Sequence, residues 1–386
     1  MAIYSDRIKR AGGNLYARTL TSAPARVVVD RCTVDTAELR SIAERRGEFY
    51  ELDTADTVTF DPPTSPDGVP RPLEWHVGEH AVDDSFVASL QECQLLGPKA
   101  LTAHSGRRYI FENSLRSQQL LGRAFIASLR AGVVPTPRRT GGRSSELAVS
   151  LVGPWCRGYF HWFAEWLPRL AGVVRFTAET GRSPTVIVPS NPPEWLRESL
   201  RLVGFNEYTT WGGGRTAVGE LVVPSLRRAH PVDAPEEYTN TIDGYRWVRR
   251  RILNRITSDA PLATERVYIT RRRADDRHVL NETALLDSLT DYGFEAYELE
   301  TMSFTEQVRL FEGADVVVGP HGAGLVNLIY GTDLTVIELF GDYINGCYYT
   351  LSDGLGFNYG FLRCQPVGAD MRVDVDRLEM LLNQML

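Results

Sequence analysis

The chain has 386 residues, which suits two domains of ordinary size. Apolar side chains make up 43% and charged ones 24%, which excludes a disordered, collagen-like or disulfide-miniprotein chain. With 42 basic and 49 acidic side chains the net charge is −7, so no global attraction for nucleic acid or anionic lipid is expected. Apart from Lys9 and Lys99, every basic residue is arginine. Cys32, Cys93, Cys156, Cys347 and Cys364 occur singly, with no Cys-x-x-Cys pair. That excludes a zinc knuckle and points to a reducing compartment. The start, Met-Ala-Ile-Tyr-Ser-Asp, has no apolar core of a secretory signal. The longest uncharged run, Val316–Thr332, is rich in glycine and a poor membrane span. A cytoplasmic protein is expected, meeting a membrane only through partners.

The first 145 residues read as β-rich, with strands at Ala25–Val34 and Arg108–Glu112 and loops at Pro62–Pro72 and Thr136–Ser145. From Leu147 the texture changes. Ala148–Gly153 reads as a strand, Tyr159–Thr180 as a helix interrupted at Pro168, and Thr185–Pro189 as a buried strand. A helix over Pro193–Val203 and a strand at Glu220–Pro224 follow. Pro231–Tyr238 reads as a connector.

The second half is more regular. A helix over Ile242–Ile256 precedes a strand at Arg266–Thr270. A helix over Glu282–Tyr292 has Asn281 as its expected N-cap and ends at Gly293. After a strand at Glu295–Leu299, Ser303 and Glu306 form a capping box that opens a helix over Ser303–Phe311. Strands at Asp315–Gly319, Thr335–Phe340 and Tyr359–Cys364 alternate with helices at Ala323–Tyr330, Asn345–Gly354 and Asp374–Met385. Short strands alternating with helices predict parallel, doubly wound sheets. The fold class is α/β. Two Rossmann-like domains, residues 146–238 and 239–386, face a cleft, with residues 1–145 as a β-rich N-terminal extension.

Three clusters carry chemistry. In Gly319-Pro-His-Gly-Ala-Gly-Leu-Val-Asn327 a buried strand runs into a glycine turn and a helix start. Close backbone approach and unsatisfied helix N–H groups make an anion cradle at Gly322, Ala323 and Gly324, with His321 at its mouth. The bland alternative is a tight turn with a core histidine. The spacing is not Gly-x-Gly-x-x-Gly, so a nicotinamide cofactor is disfavoured. Second, Arg271, Arg272, Arg273 and Arg277 follow a strand and precede a helix, on the rim expected for the cradle. Arginine binds phosphate oxygens bidentately. Third, His161 and Glu165 lie one helical turn apart, as a general-base pair would. Either residue could take the proton. Asp374-Val-Asp376 is a weak metal signal, because Asp374 is placed to cap the last helix. No metal or other cofactor is expected.

Together, in this order, the clusters resemble glycosyltransferase family 61, a former family of unknown function often described in microbes as capsular polysaccharide biosynthesis proteins. The resemblance rests on His161-Trp-x-x-Glu165-x-Leu-Pro-Arg, the stretch from Arg271 through Arg277 to Asn281-Glu282, and Met302-Ser-x-x-Glu306-Gln307-Val. The glycine turn through Asn327 and Val336-Ile-Glu338-Leu complete it. The family's turn often ends Leu-Thr-Asn; here it reads Leu325-Val326-Asn327, without the hydroxyl.

The resemblance implies a GT-B fold and inverting, metal-independent transfer of a sugar. The donor would be a nucleoside-diphosphate sugar, by family habit a UDP-sugar. The acceptor would be a hydroxyl of a glycan or lipid-linked glycan in surface polysaccharide assembly. In this reading His161 and Glu165 are catalytic. Arg271, Arg277, Asn281, Glu282, His321, Gly322, Ala323, Gly324, Asn327 and Glu338 hold the donor, with Glu338 facing the ribose. The alternative is an inactive nucleotide-binding subunit of an assembly complex.

Overall fold

The computed structural model describes residues 32–104, 108–135, 146–234, 237–256 and 265–386. The Thr136–Ser145 loop and residues 25–31 of the first expected strand lie outside them. The fold is mixed α/β.

A nine-stranded sheet occupies the N-terminal half. Strands Arg215–Pro224, Leu147–Ser150, Thr185–Pro189 and Thr209–Trp211 run parallel side by side. The Arg215–Pro224 strand also pairs antiparallel with the long strand Ser85–Leu96, from Arg215↔Leu96 to Pro224↔Val87. Strands from residues 33–110 therefore share a sheet, and a core, with those of residues 147–224. The expected strand at Arg108–Glu112 stops at Ile110, where Phe111–Ser114 winds into a 3-10 turn that buries Glu112. This first region also holds helices over Thr36–Glu44 and Gln118–Arg130, whose N-caps Asp35 and Ser117 accept from the next turn.

The C-terminal half is a five-stranded parallel sheet ordered Glu295–Tyr297, Arg266–Ile269, Val316–Pro320, Thr335–Phe340, Asn358–Arg363. In chain order this is 2-1-3-4-5, a doubly wound sheet. Val316 and Val318 pack on one face with Leu285, Leu289, Leu378 and Leu382. Val317 and Val336 pack on the other with Phe304, Val308, Leu325 and Ile329. Strand order reverses between Arg266–Ile269 and Val316–Pro320, so a ligand crevice belongs just beyond Ile269 and Pro320.

The Tyr159–Thr180 segment departs from a plain helix. Pro168 has no N–H to offer the Ala164 carbonyl. The chain widens into a π turn at Trp162–Trp166, where the Leu167 N–H reaches the Trp162 carbonyl. It then tightens to a 3-10 turn at Leu167–Arg169 before the α-helix Leu170–Thr180. Isolated π turns concentrate at functional sites. Fully buried Trp162 and Trp166 anchor the segment by donating to Ser199 Oγ and the Pro154 carbonyl. Phe163 stacks on Phe304 at 5.2 Å, which carries one apolar core across both sheets. Among the described residues no helix is long and apolar enough to cross a membrane.

Candidate active site

At the point where the strand order switches, the glycine turn and the arginine loop are in contact. Gly322 adopts extended backbone with φ −171° and opens a 3-10 helix, Ala323–Tyr330, where an α-helix was expected. The Leu325 N–H closes on the Gly322 carbonyl, and the first N–H groups of the helix have no intrahelical acceptor. A Cβ on Gly322 would lie 2.1 Å from Arg271 Nη1. The guanidinium thus occupies the space that a side chain at position 322 would take. Arg271 Nε and Nη2 donate to the Asp276 carbonyl at 3.1 and 3.0 Å, and Nη2 also donates to Asp276 Oδ1. Burial and the nearby charge of Arg277 pull the Arg271 guanidinium below its usual range, against Asp276.

Arg277 completes the loop in left-handed backbone, φ 62°. Its N–H donates to the Ala369 carbonyl, and its guanidinium lies over the Tyr343 ring at 5.8 Å. Tyr343 also stands 5.3 Å from the His321 ring and is exposed. Together Arg271, Arg277, His321, Tyr343 and the Ala323–Gly324 amides make one cationic, donor-rich rim.

His321 is buried and braced. Its Nδ1 meets Glu338 Oε1, whose carboxylate also accepts from the Tyr359 hydroxyl at 2.6 Å. A carboxylate only accepts, so Nδ1 carries the proton and Nε2 is left for a ligand. Tyr348 packs on the same ring at 5.3 Å and donates to the Gly322 carbonyl at 2.6 Å.

Four expected donor-site residues do other work. Glu338 is fully buried with both oxygens engaged, and it orients His321. Asn281 makes no cap bond; its amide pairs with the Val373 N–H and carbonyl and ties the loop to the C-terminal segment. Glu282 accepts from Tyr268, Thr270 and Arg272 and fastens its helix to the strand end. Asn327 is fully buried; it donates to Gln307 Oε1 and accepts from the Tyr159 hydroxyl at 2.8 Å. Each contact joins residues far apart in the chain, so local spacing carried no sign of it.

The third cluster is docked on the first, the glycine turn. His161 Nδ1 bonds Glu165 Oε2 at 2.9 Å, with Glu165 buried and His161 partly open. Trp155 stacks on the His161 ring at 4.6 Å in left-handed backbone, φ 53°. Trp155 is exposed, and only the coordinates reveal its place over that ring. Tyr159 joins this element to the cradle through Asn327, and Phe160 packs against Tyr348, which also touches His321. The segment that carries the His–Glu pair is thus joined to the glycine turn through Asn327 and Tyr348.

Residues 159–337 match the family model for Glycosyltransferase 61, a span that encloses all three clusters. The chain is similar to this family over a little under half of its length. It is similar to proteins named EGF domain-specific O-linked N-acetylglucosamine transferase. Identity is 31% over 124 residues for the Gallus gallus protein, covering 30% of this chain and 23% of that one. The Mus musculus protein is 32% identical over 124 residues, covering 30% and 24%. The Drosophila melanogaster protein is 32% identical over 114 residues, covering 28% and 22%. The match thus spans about a quarter of the length of these relatives. Asp374 caps the last helix by accepting from the Arg377 N–H. Among the described residues no three His, Cys, Asp or Glu side chains converge as metal ligands.

Proposed function

We propose that the chain transfers a sugar from a nucleoside-diphosphate sugar to a hydroxyl of a glycan or lipid-linked glycan, with inversion and without a resident metal, in a GT-B arrangement. The observation that carries this reading is Arg271 Nη1 occupying the side-chain space of Gly322 where the strand order switches, beside His321 and the first amides of the 3-10 helix. That rim suits a diphosphate. The His161–Glu165 pair across the crevice supports a base for the acceptor.

In this mechanism Glu165 holds the Nδ1 proton of His161, which leaves Nε2 to accept the acceptor's hydroxyl proton. The acceptor oxygen bonds to the anomeric carbon as that carbon's bond to the diphosphate oxygen breaks. The nucleoside diphosphate departs with both bonding electrons, and Arg271, Arg277, His321 and the turn amides offset its charge. Each preorganised donor contributes on the order of 2.7–4 kcal/mol. Surface polysaccharide assembly at the inner face of a membrane is the setting we infer from the resemblance to microbial family members.

The experiment combines melting temperature with nucleotide release. Uridine nucleotides come first, UDP-N-acetylglucosamine among them because of the relatives' names, followed by other nucleotides. Ligand held by the folded state raises the melting temperature by mass action. Glu165→Gln and His161→Ala should each retain nucleotide binding and lose about 10²–10⁴-fold in turnover. Wild-type rates in both variants would remove the base assignment. Binding without turnover in the native protein would mark a nucleotide-binding subunit instead.

A further inference from the structure

Arg169 closes the motif that holds His161 and Glu165, and no part of the mechanism above uses it. Its side chain is 4% exposed and lies over the Trp166 ring at 4.7 Å. Nε donates to the Glu165 carbonyl at 3.1 Å and Nη2 to the Glu112 carbonyl at 2.8 Å. Nη1 is buried with no hydrogen-bond partner. A buried guanidinium held by two neutral carbonyls and one empty donor is costly in water-free surroundings. Burial pulls its proton affinity down to about 10, opposed by the charges of Glu112 and Glu165. What offsets the burial is the carboxylate charge around it.

Glu165 faces the complementary problem. It is a buried carboxylate whose direct side-chain partner is His161. The groups within electrostatic reach come from several elements. Arg169 follows it on the same segment, with Glu112 and Arg116 behind. Arg228 and Tyr238 approach from the strand and connector after the large sheet. Tyr245 approaches from the Ile242–Leu253 helix. Arg228 stacks on Tyr238 at 3.6 Å and donates to the Leu115 carbonyl, so its charge is partly spent elsewhere. Arg169 is the cation bonded to the backbone of Glu165 itself.

We infer that Arg169 is a positioning residue for the reaction, a buried cation that keeps the Glu165 carboxylate charged and thereby holds His161 in its proton-accepting state. The inference rests on the base reading above. Nearby positive charge disfavours every protonated form of the coupled pair. Removing it moves proton uptake by the pair to higher pH.

The test compares Arg169→Met, which removes the charge, with Arg169→Lys, which keeps it. Arg169→Gln stands in should the methionine variant not fold. Two readouts are taken: the acid limb of the pH–rate profile, and the His161 ring-proton titration followed by NMR, which needs no turnover. Both should move to higher pH in the neutral variant, the direction expected when a nearby positive charge is removed. In Arg169→Lys both should stay near wild type even with a lowered melting temperature. A folded neutral variant with an unmoved His161 titration would overturn the inference, as would equal movement in the lysine variant. If instead the titration moves while Glu165→Gln turns over normally, the base reading falls and the charge coupling stands.

Discussion

Gly322→Ala separates holding the fold from holding the donor. The new methyl would sit 2.1 Å from Arg271 Nη1, which no pair of atoms tolerates. The backbone at Gly322, φ −171°, is open to any residue, so no conformational strain is added. The atom in the way is the end of a flexible side chain, so the guanidinium moves and the fold survives; a stability change below about 1 kcal/mol is expected. The displaced guanidinium no longer meets the diphosphate. One lost charge-assisted hydrogen bond costs about 1.5–3 kcal/mol, or about 10- to 100-fold in nucleotide affinity. If the same donor acts on the leaving phosphate, kcat falls by about 10²–10³. Calorimetric titration with UDP, nucleotide-release rates and a melting curve measure the three quantities. A folded Gly322→Ala protein with wild-type nucleotide affinity would refute the assignment of Arg271 to the diphosphate.

Three further outcomes are expected. Tyr159→Phe strips the donor from the buried Asn327 Oδ1, a cost of about 1–3 kcal/mol in denaturant unfolding, and an unmoved midpoint would show that the link is idle. Ser303→Ala removes the capping box of the Phe304–Glu312 helix and should cost about 1 kcal/mol, read as a lower melting temperature. His76 is held down to about 4 by burial, with its Nδ1 and His80 Nε2 buried and unpaired. Its folded-state proton affinity lies below the unfolded value, so stability falls as pH drops from about 6.5 towards 4. The loss should be about 2 kcal/mol between pH 7 and pH 5. His76→Gln should flatten that slope in denaturant melts, and an unchanged slope would place the acid sensitivity elsewhere.

Much of the secondary structure follows from short-range chemistry. Thr185–Pro189 and Thr335–Phe340 are strands to the residue because each is a short apolar run bounded by turn formers. Ser303 and Glu306 bond reciprocally because the capping box needs only a spacing of three. The His161–Glu165 bond is equally local. The Arg271 loop and the His321 turn share a rim because parallel strands bring their carboxyl ends to one edge, which strand–helix alternation already implies.

Tertiary structure decided the rest. Asn327 and Glu338 stand in the right motif yet face inward, to Tyr159 and Gln307 in one case and to His321 and Tyr359 in the other. Which way a polar side chain turns depends on which buried partner needs a hydrogen bond, and that partner comes from a distant part of the chain. The pairing of Ser85–Leu96 with Arg215–Pro224 is of the same kind. Both strands carry apolar runs, but their register arises only when the large sheet closes. Motif spacing thus names the residues of the site, while packing assigns each one to the ligand or to the scaffold.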